Sequence, residues 1–137
     1  MKLSSIRSDL SAEVDGVWAE FEDGFKLKIA SSLSPAFQDA LDKALEPYRD
    51  LIRSGKLDAA QREKIYQEVA SAHLVKDWAG LESDDGQPLA YSHSEAFALL
   101  SDPRMHVLWK WVQSVASNDQ RYRERSTRDA VGNSRPR

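Results

Sequence analysis

The sequence has no cysteine. That removes disulfides, thiolate nucleophiles and cysteine-based zinc sites together, and it suits a reducing compartment. Histidine is scarce too. His73, His93 and His106 are the three, and no two stand three or four residues apart, so no helix presents a histidine pair to a metal; a site assembled from distant segments stays open. There is no G-x-S-x-G, no Walker loop and no G-x-G-x-x-G. The cluster Glu82, Asp84 and Asp85 lacks the spaced oxygens and closing glutamate of a calcium loop and reads as a solvated turn. Asp39 and Asp42 read as helix surface. Nothing here points to acid–base or nucleophilic catalysis, so the expectation is a non-enzyme with no cofactor and no metal. Long hydrophobic runs are missing as well, both at Met1–Asp15, where a signal peptide would lie, and elsewhere at bilayer length. This predicts a soluble cytoplasmic protein without a membrane partner.

What is present suits one domain: 137 residues, 41% hydrophobic and 30% charged, which allows a core of moderate size. The net charge of -3 conceals an asymmetry. From Arg121 to Arg137 six arginines face Glu124 and Asp129, so this end is near +4 and the first 120 residues near -7. A basic tail can meet phosphate or an acidic protein face, or it can simply be a solvated end. The acidic body argues against a nucleic-acid partner.

Along the chain, Met1–Asp15 shows no strong pattern and is expected to be an N-terminal arm (1–15). From Val17 to Ile29 apolar residues alternate. Val17, Ala19 and Phe21 share a face, as do Phe25, Leu27 and Ile29, and Asp23-Gly24 between the runs is a hairpin turn signal. A β-hairpin is therefore predicted over 16–30. Ser34-Pro35 opens a helix that Pro47 interrupts and Ser54-Gly55 stops. A second helix is predicted from about Asp58 to Trp78, with Ile65, Val69, Ala72 and Val75 on its buried face. A loop follows over Glu82–Tyr91. Ser92 with Glu95 forms a capping box for a short helix. Pro103 opens a last helix reaching about Arg125, with Met105, Leu108, Val112, Val115 and Ala116 as its stripe. The predicted fold is mainly α: an N-terminal β-hairpin, a bundle of about four helices over 33–125, and a disordered, flexible basic tail over 126–137.

Aromatic residues are the chemistry that remains. Four tryptophans occur. On a helix Trp109 and Trp111 lie about 200° apart, flanking the stripe of Leu108 and Val112, and Val107 widens it. Such a stripe either touches several elements of its own chain or leaves an aromatic edge for a partner. Trp18 sits on the polar face of the hairpin, where a helix or another protein must cover it. The hairpin's free edges suit pairing with another subunit. The candidate contact residues are Trp18, Val107, Trp109, Trp111, Arg121, Arg123 and Arg125.

The order of features resembles the tail assembly chaperones of long-tailed bacteriophages. The residues concerned are the hairpin Gly16–Ala30, then Ala72, Val75, Trp78, Gly80 and Leu81, then Asp85-Gly86, Pro88, Tyr91 and Ser92, then a helix ending in Leu99-Leu100 before Asp102-Pro103. The resemblance runs from about Gly16 to Arg125. It implies a protein that binds the apolar tape-measure protein in the host cytoplasm, keeps it soluble, recruits tail tube protein, self-associates and is absent from the mature virion. It also implies that Trp78, Gly80, Gly86, Pro88 and Tyr91 are scaffold. The alternative is a structural tail or connector subunit retained in the virion. A third reading, a nucleic-acid-binding regulator using Arg121–Arg137, is disfavoured by the acidic body.

Overall fold

In the computed structural model, which describes residues 1–130, the protein is mainly α with an N-terminal β-hairpin. The chain order is α1 (Leu10–Asp15), β1 (Val17–Glu22), β2 (Phe25–Ile29), α2 (Pro35–Leu45), α3 (Arg49–Arg53), α4 (Ala59–His73), β3 (Val75–Ala79), α5 (His93–Ser101), α6 (His106–Ser117) and α7 (Glu124–Ala130). Short 3-10 turns precede α1, α3, α6 and α7.

The hairpin forms where alternation and turn chemistry agree. Asp23 (φ 48°) and Gly24 (φ 79°) both take the left-handed region that closes a two-residue turn. The register sets Val17 opposite Ile29 and Ala19 opposite Leu27 on the buried face, with Trp18 opposite Lys28 and Glu20 opposite Lys26 outside. A bulge at Phe21 ends the regular pairing.

A third strand corrects the predicted long helix. α4 stops at His73, and Val75–Ala79 pairs antiparallel with β2, giving the order β1-β2-β3. Val75 and Trp78, three apart, fit a helical stripe, and they share the buried face of a strand only because the pairing with β2 shifts register between them, setting Val75 opposite Ile29 and Trp78 opposite Leu27. One hairpin edge is thus filled within the chain. Backbone groups of β3 find side-chain partners: Tyr91 Oη donates to the Val75 carbonyl (2.6 Å), and the Trp78 N–H donates to Asp77 (2.8 Å).

The helices α2, α4 and α5 begin where the sequence predicts. Ser34 Oγ accepts from the Phe37 N–H (3.3 Å), with Pro35 in the first turn. Asp58 caps α4 and Ser92 caps α5. Pro47 starts the 3-10 turn between α2 and α3. The predicted last helix is shorter than expected. Pro103–Met105 is a 3-10 turn, which leaves Met105 39% exposed, and α6 ends at Ser117, where Asn118 caps a further turn through Tyr122.

The core lies between the sheet's inner face and α2, α4, α5 and α6. It includes Leu27, Ile29, Phe37, Ala70, Leu74, Val75, Leu100 and Val112. The link after β2 ties three distant regions together. Ala30 N–H donates to Leu74 (2.8 Å), Ser31 N–H to Glu13 (2.8 Å) and Ser32 N–H to Ala116 (2.9 Å). Among the described residues no buried side-chain nitrogen or oxygen lacks a partner.

Within the expected arm, Leu3–Ser5 is a 3-10 turn and Leu10–Asp15 is α1; α7 reaches Ala130, and residues 131–137 of the expected tail lie outside the described ones. The two ends hold each other. Asp9 N–H donates to Tyr122 (2.7 Å), Glu124 N–H to Arg7 (2.9 Å), and Thr127 Oγ1 to the Asp9 carboxylate (3.0 Å). Tyr122 is fully buried and donates through its hydroxyl to the Ile29 carbonyl (2.9 Å), locking the C-terminal segment onto β2.

Candidate protein-interaction surfaces

The four tryptophans go to four environments. Trp109 is 4% exposed; its indole N–H donates to Glu63, and Tyr66 packs edge-on at 5.4 Å. It is core, which corrects its assignment as a contact residue: α4 supplies both a carboxylate for the indole and a ring for its face. Trp78 is enclosed too. Its indole N–H donates to the Leu89 carbonyl (2.9 Å), and Phe25 and Tyr91 meet it edge-on.

Trp18 is half-buried, in a cleft of about 340 Å³ lined by Val17, Asn118, Gln120, Arg121 and Ser126. The C-terminal segment therefore flanks the Trp18 end of the hairpin, and the structure brings Trp18 and Arg121 to one cleft. Arg123 pairs with Asp119 (2.9 Å), and its backbone bridges to Ser8. Arg125 lies in α7, and its side chain falls outside the described ones.

Trp111 is the fourth. It is half-buried and meets Phe21 edge-on at 5.1 Å, while Val107, one turn earlier on the same face of α6, is 59% exposed. Val107, Trp111 and Phe21 thus make an apolar strip running from α6 to the end of β1. On α6 the charged residues beside it are basic, whereas Glu20 and Glu22 flank Phe21 on β1. Arg104, His106 and Lys110 lie between Pro103 and Ser117, where the sequence has no Asp or Glu. Arg104 is engaged by Asp102 (2.8 Å), whose carboxyl is held below the usual range by that contact, whereas Lys110 is exposed.

The scaffold residues of the sequence analysis cluster around one loop. Gly80 has φ 83°, and a Cβ there would strike the Gly24 carbonyl oxygen. Gly86 turns the loop at φ 86°, and Pro88 bridges to Glu82. Tyr91 closes the loop on Val75, as described.

Sequence reasoning missed a second apolar surface. Leu3 (73% exposed), Ile6 (48%), Leu10 (71%) and Val14 (45%) all point outward from the N-terminal segment. Their spacing of three, four and four residues was the available signal. Behind them, Asp9 caps α1 through the Ala12 N–H (3.1 Å), and its carboxyl is held below the ordinary value by that bond, by Ser11 and by Thr127.

His73 and His93 approach each other across α4 and α5. Burial, then Lys76, then His93 lower the His73 pKa. Among the described residues no three His, Asp or Glu side chains gather as a metal site would require, and no helix is long and apolar enough to cross a membrane.

A sequence model of the YdaY prophage protein family matches residues 32–133, most of the chain. No curated protein and no solved structure matches it. The N-terminal segment and the hairpin lie outside the matched span, whereas α6 with Val107 and Trp111 lies within it, and on that span the chain belongs to the YdaY prophage protein family and is phage-derived.

Proposed function

We propose that the chain is a tail assembly chaperone: it binds the apolar, helical tape-measure protein in the host cytoplasm, keeps it soluble and helps bring tail tube subunits to it. The observation that carries this reading is the Val107–Trp111–Phe21 strip. It sets a 59% exposed valine beside a tryptophan and a phenylalanine that the core covers only in part. An apolar strip one helix turn long, with Lys110 at its α6 end and Glu20 and Glu22 at its β1 end, suits an amphipathic helix laid along it. Phage origin is consistent with the reading, and so is the resemblance to tail assembly chaperones. The role asks for binding and release, and no catalytic step.

Co-expression with the tape-measure protein of the same phage tests it. The chain raises the soluble fraction of that protein, and Val107→Asp, a change at an exposed position, abolishes the gain while leaving the fold intact. A tape measure that aggregates equally with and without the chain removes the reading. Mass spectrometry of purified particles finds the chain absent; stoichiometric recovery would instead identify a structural tail subunit.

A further inference from the structure

The cleft that holds Trp18 continues into a longer groove. Gln120 and Ser126 line it, and the same two residues line a second cleft of about 880 Å³, whose wall carries Lys2, Arg123 and Arg128. The two clefts therefore join, and the track runs from the indole past Arg121 to the arginines of the C-terminal segment. Lys2 reaches that wall from the other end of the sequence, so the fold gathers cations that the chain order keeps apart. Among the described residues that line the two clefts there is no aspartate or glutamate. Asp119 bonds Arg123 (2.9 Å) and leaves that guanidinium further donors. Carboxylates bound the track at both ends. Glu20 follows Trp18 on the same face of β1, and beyond Arg128 the next cleft holds Asp9 and Glu124. Trp18 also differs from the other tryptophans. Trp78, Trp109 and Trp111 each meet another ring edge-on, whereas among the described residues no ring packs on Trp18.

A run of cations without carboxylates suits a chain of anions, and hydroxyls and amides beside arginines are the usual contacts of phosphate. The indole decides which chain. A base has a flat face to lay on a ring, whereas the carboxylates of an acidic peptide have none. A duplex keeps its bases stacked on one another and out of reach, so the strand is single. We infer that this groove holds a short stretch of single-stranded nucleic acid, one base lying on Trp18 and the phosphates led past Arg121, Arg123 and Lys2 to Arg128. The net charge of -3 weakens this little, because a strand in the groove meets the local field and charges beyond about 10 Å are screened at ordinary salt. Affinity is modest and salt-dependent, since it rests on a few cations and one ring. The groove shares no lining residue with the Val107–Trp111–Phe21 strip, so the two surfaces can be occupied separately.

The test is fluorescence anisotropy of a labelled oligothymidylate, roughly eight nucleotides long, titrated with the full chain over a series of salt concentrations. The oligonucleotide binds at low salt, and log affinity falls against log salt with a slope of about -2 to -3, the value for three or four cations on a single strand. Arg121→Glu with Arg128→Glu, both at exposed positions, lowers affinity at least tenfold and flattens the slope. Trp18→Leu lowers affinity about fivefold and leaves the slope unchanged, because it removes a stacking face and no charge. Lys64→Glu, an equal kind of charge reversal on the exposed side of α4, changes neither. Circular dichroism checks each fold, and the arginine pair tests the groove even where Trp18→Leu disturbs the hairpin. A duplex of the same length binds more weakly. Absence of binding at low salt overturns the inference. So does a loss with Lys64→Glu as large as with the arginine pair, or poly-glutamate that competes as well as the oligonucleotide, charge for charge. Thymidine monophosphate competing as well as the strand overturns it too, in favour of a single-nucleotide site. The assay contains no tape-measure protein, so it stands or falls apart from the chaperone reading.

Discussion

The two halves of this molecule reach order by different means. Around α4, α5, α6 and β3, rings and aliphatic side chains interlock: Phe37 with Tyr66, Tyr66 with Trp109, Phe25 with Trp78, Trp78 with Tyr91. The terminal half, residues 1–15 with 118–130, buries little beyond Tyr122 and Thr127, and is held by hydrogen bonds to Asp9, Arg7 and Ile29. Burial of large side chains dominates stability, and single hydrogen bonds add modestly. The interlocked half should set global stability, while the terminal half should open locally beforehand.

Trp109→Ala gives the largest effect expected, about 3–5 kcal/mol lost in urea unfolding, because it deletes a buried ring and leaves Glu63 without its donor. Gly80→Ala follows at about 2–4 kcal/mol, since it combines a positive φ with a backbone collision. Comparable losses from changes confined to the terminal half would break the contrast. Tyr122→Phe should cost about 1–2 kcal/mol, because the Ile29 carbonyl loses its buried donor. The loss should appear as faster hydrogen exchange at residues 1–15 and 118–130, with exchange in α4 and β3 unchanged. Asp9→Ala should cost about 1 kcal/mol by removing a helix cap and should admit protease near Ser8.

Acid sharpens the same comparison. The folded Asp9 carboxyl titrates below its ordinary value, chiefly through the Ala12 N–H. Its contribution is complete above the unfolded value near 3.8 and is lost as pH falls through the depressed folded one. The terminal half should loosen in that acidic window, read by hydrogen exchange, and Asp9→Ala should remove this response. The smallest effect falls to His73, whose folded pKa is lowered. The unfolded chain takes up its proton first, so stability declines slightly as pH falls through about 6.5, and His73→Gln should flatten the slope.

The hairpin was legible because Asp23-Gly24 and the alternation around it are local signals. Helix starts at Ser34, Asp58 and Ser92 were legible for the same reason. β3 was not: its identity depends on an edge offered by residues 26–29, some fifty positions earlier. Trp109 was misplaced because its partner Glu63 lies on another helix. The pairing of the two ends is likewise non-local, with Asp9 and Thr127 separated by 118 residues. The outward strip at Leu3–Val14 carried a readable spacing, yet Ser8's bridge to Arg123 interrupts the helix that spacing describes. In the candidate surface Val107 and Trp111 were readable from helix periodicity. Phe21, the third member, joins them only through packing.

The stretch from Ile29 to Ser32 has a consequence for synthesis. Its backbone groups find partners at Glu13, Leu74, Ala116 and Tyr122, and the last of these emerges 93 residues after Ile29. A growing chain on the ribosome therefore carries the hairpin residues before the tyrosine that seats against them has been made. A nascent chain stalled before Tyr122 presents that empty seat, with Trp18 beside it, to whatever polypeptide is nearby.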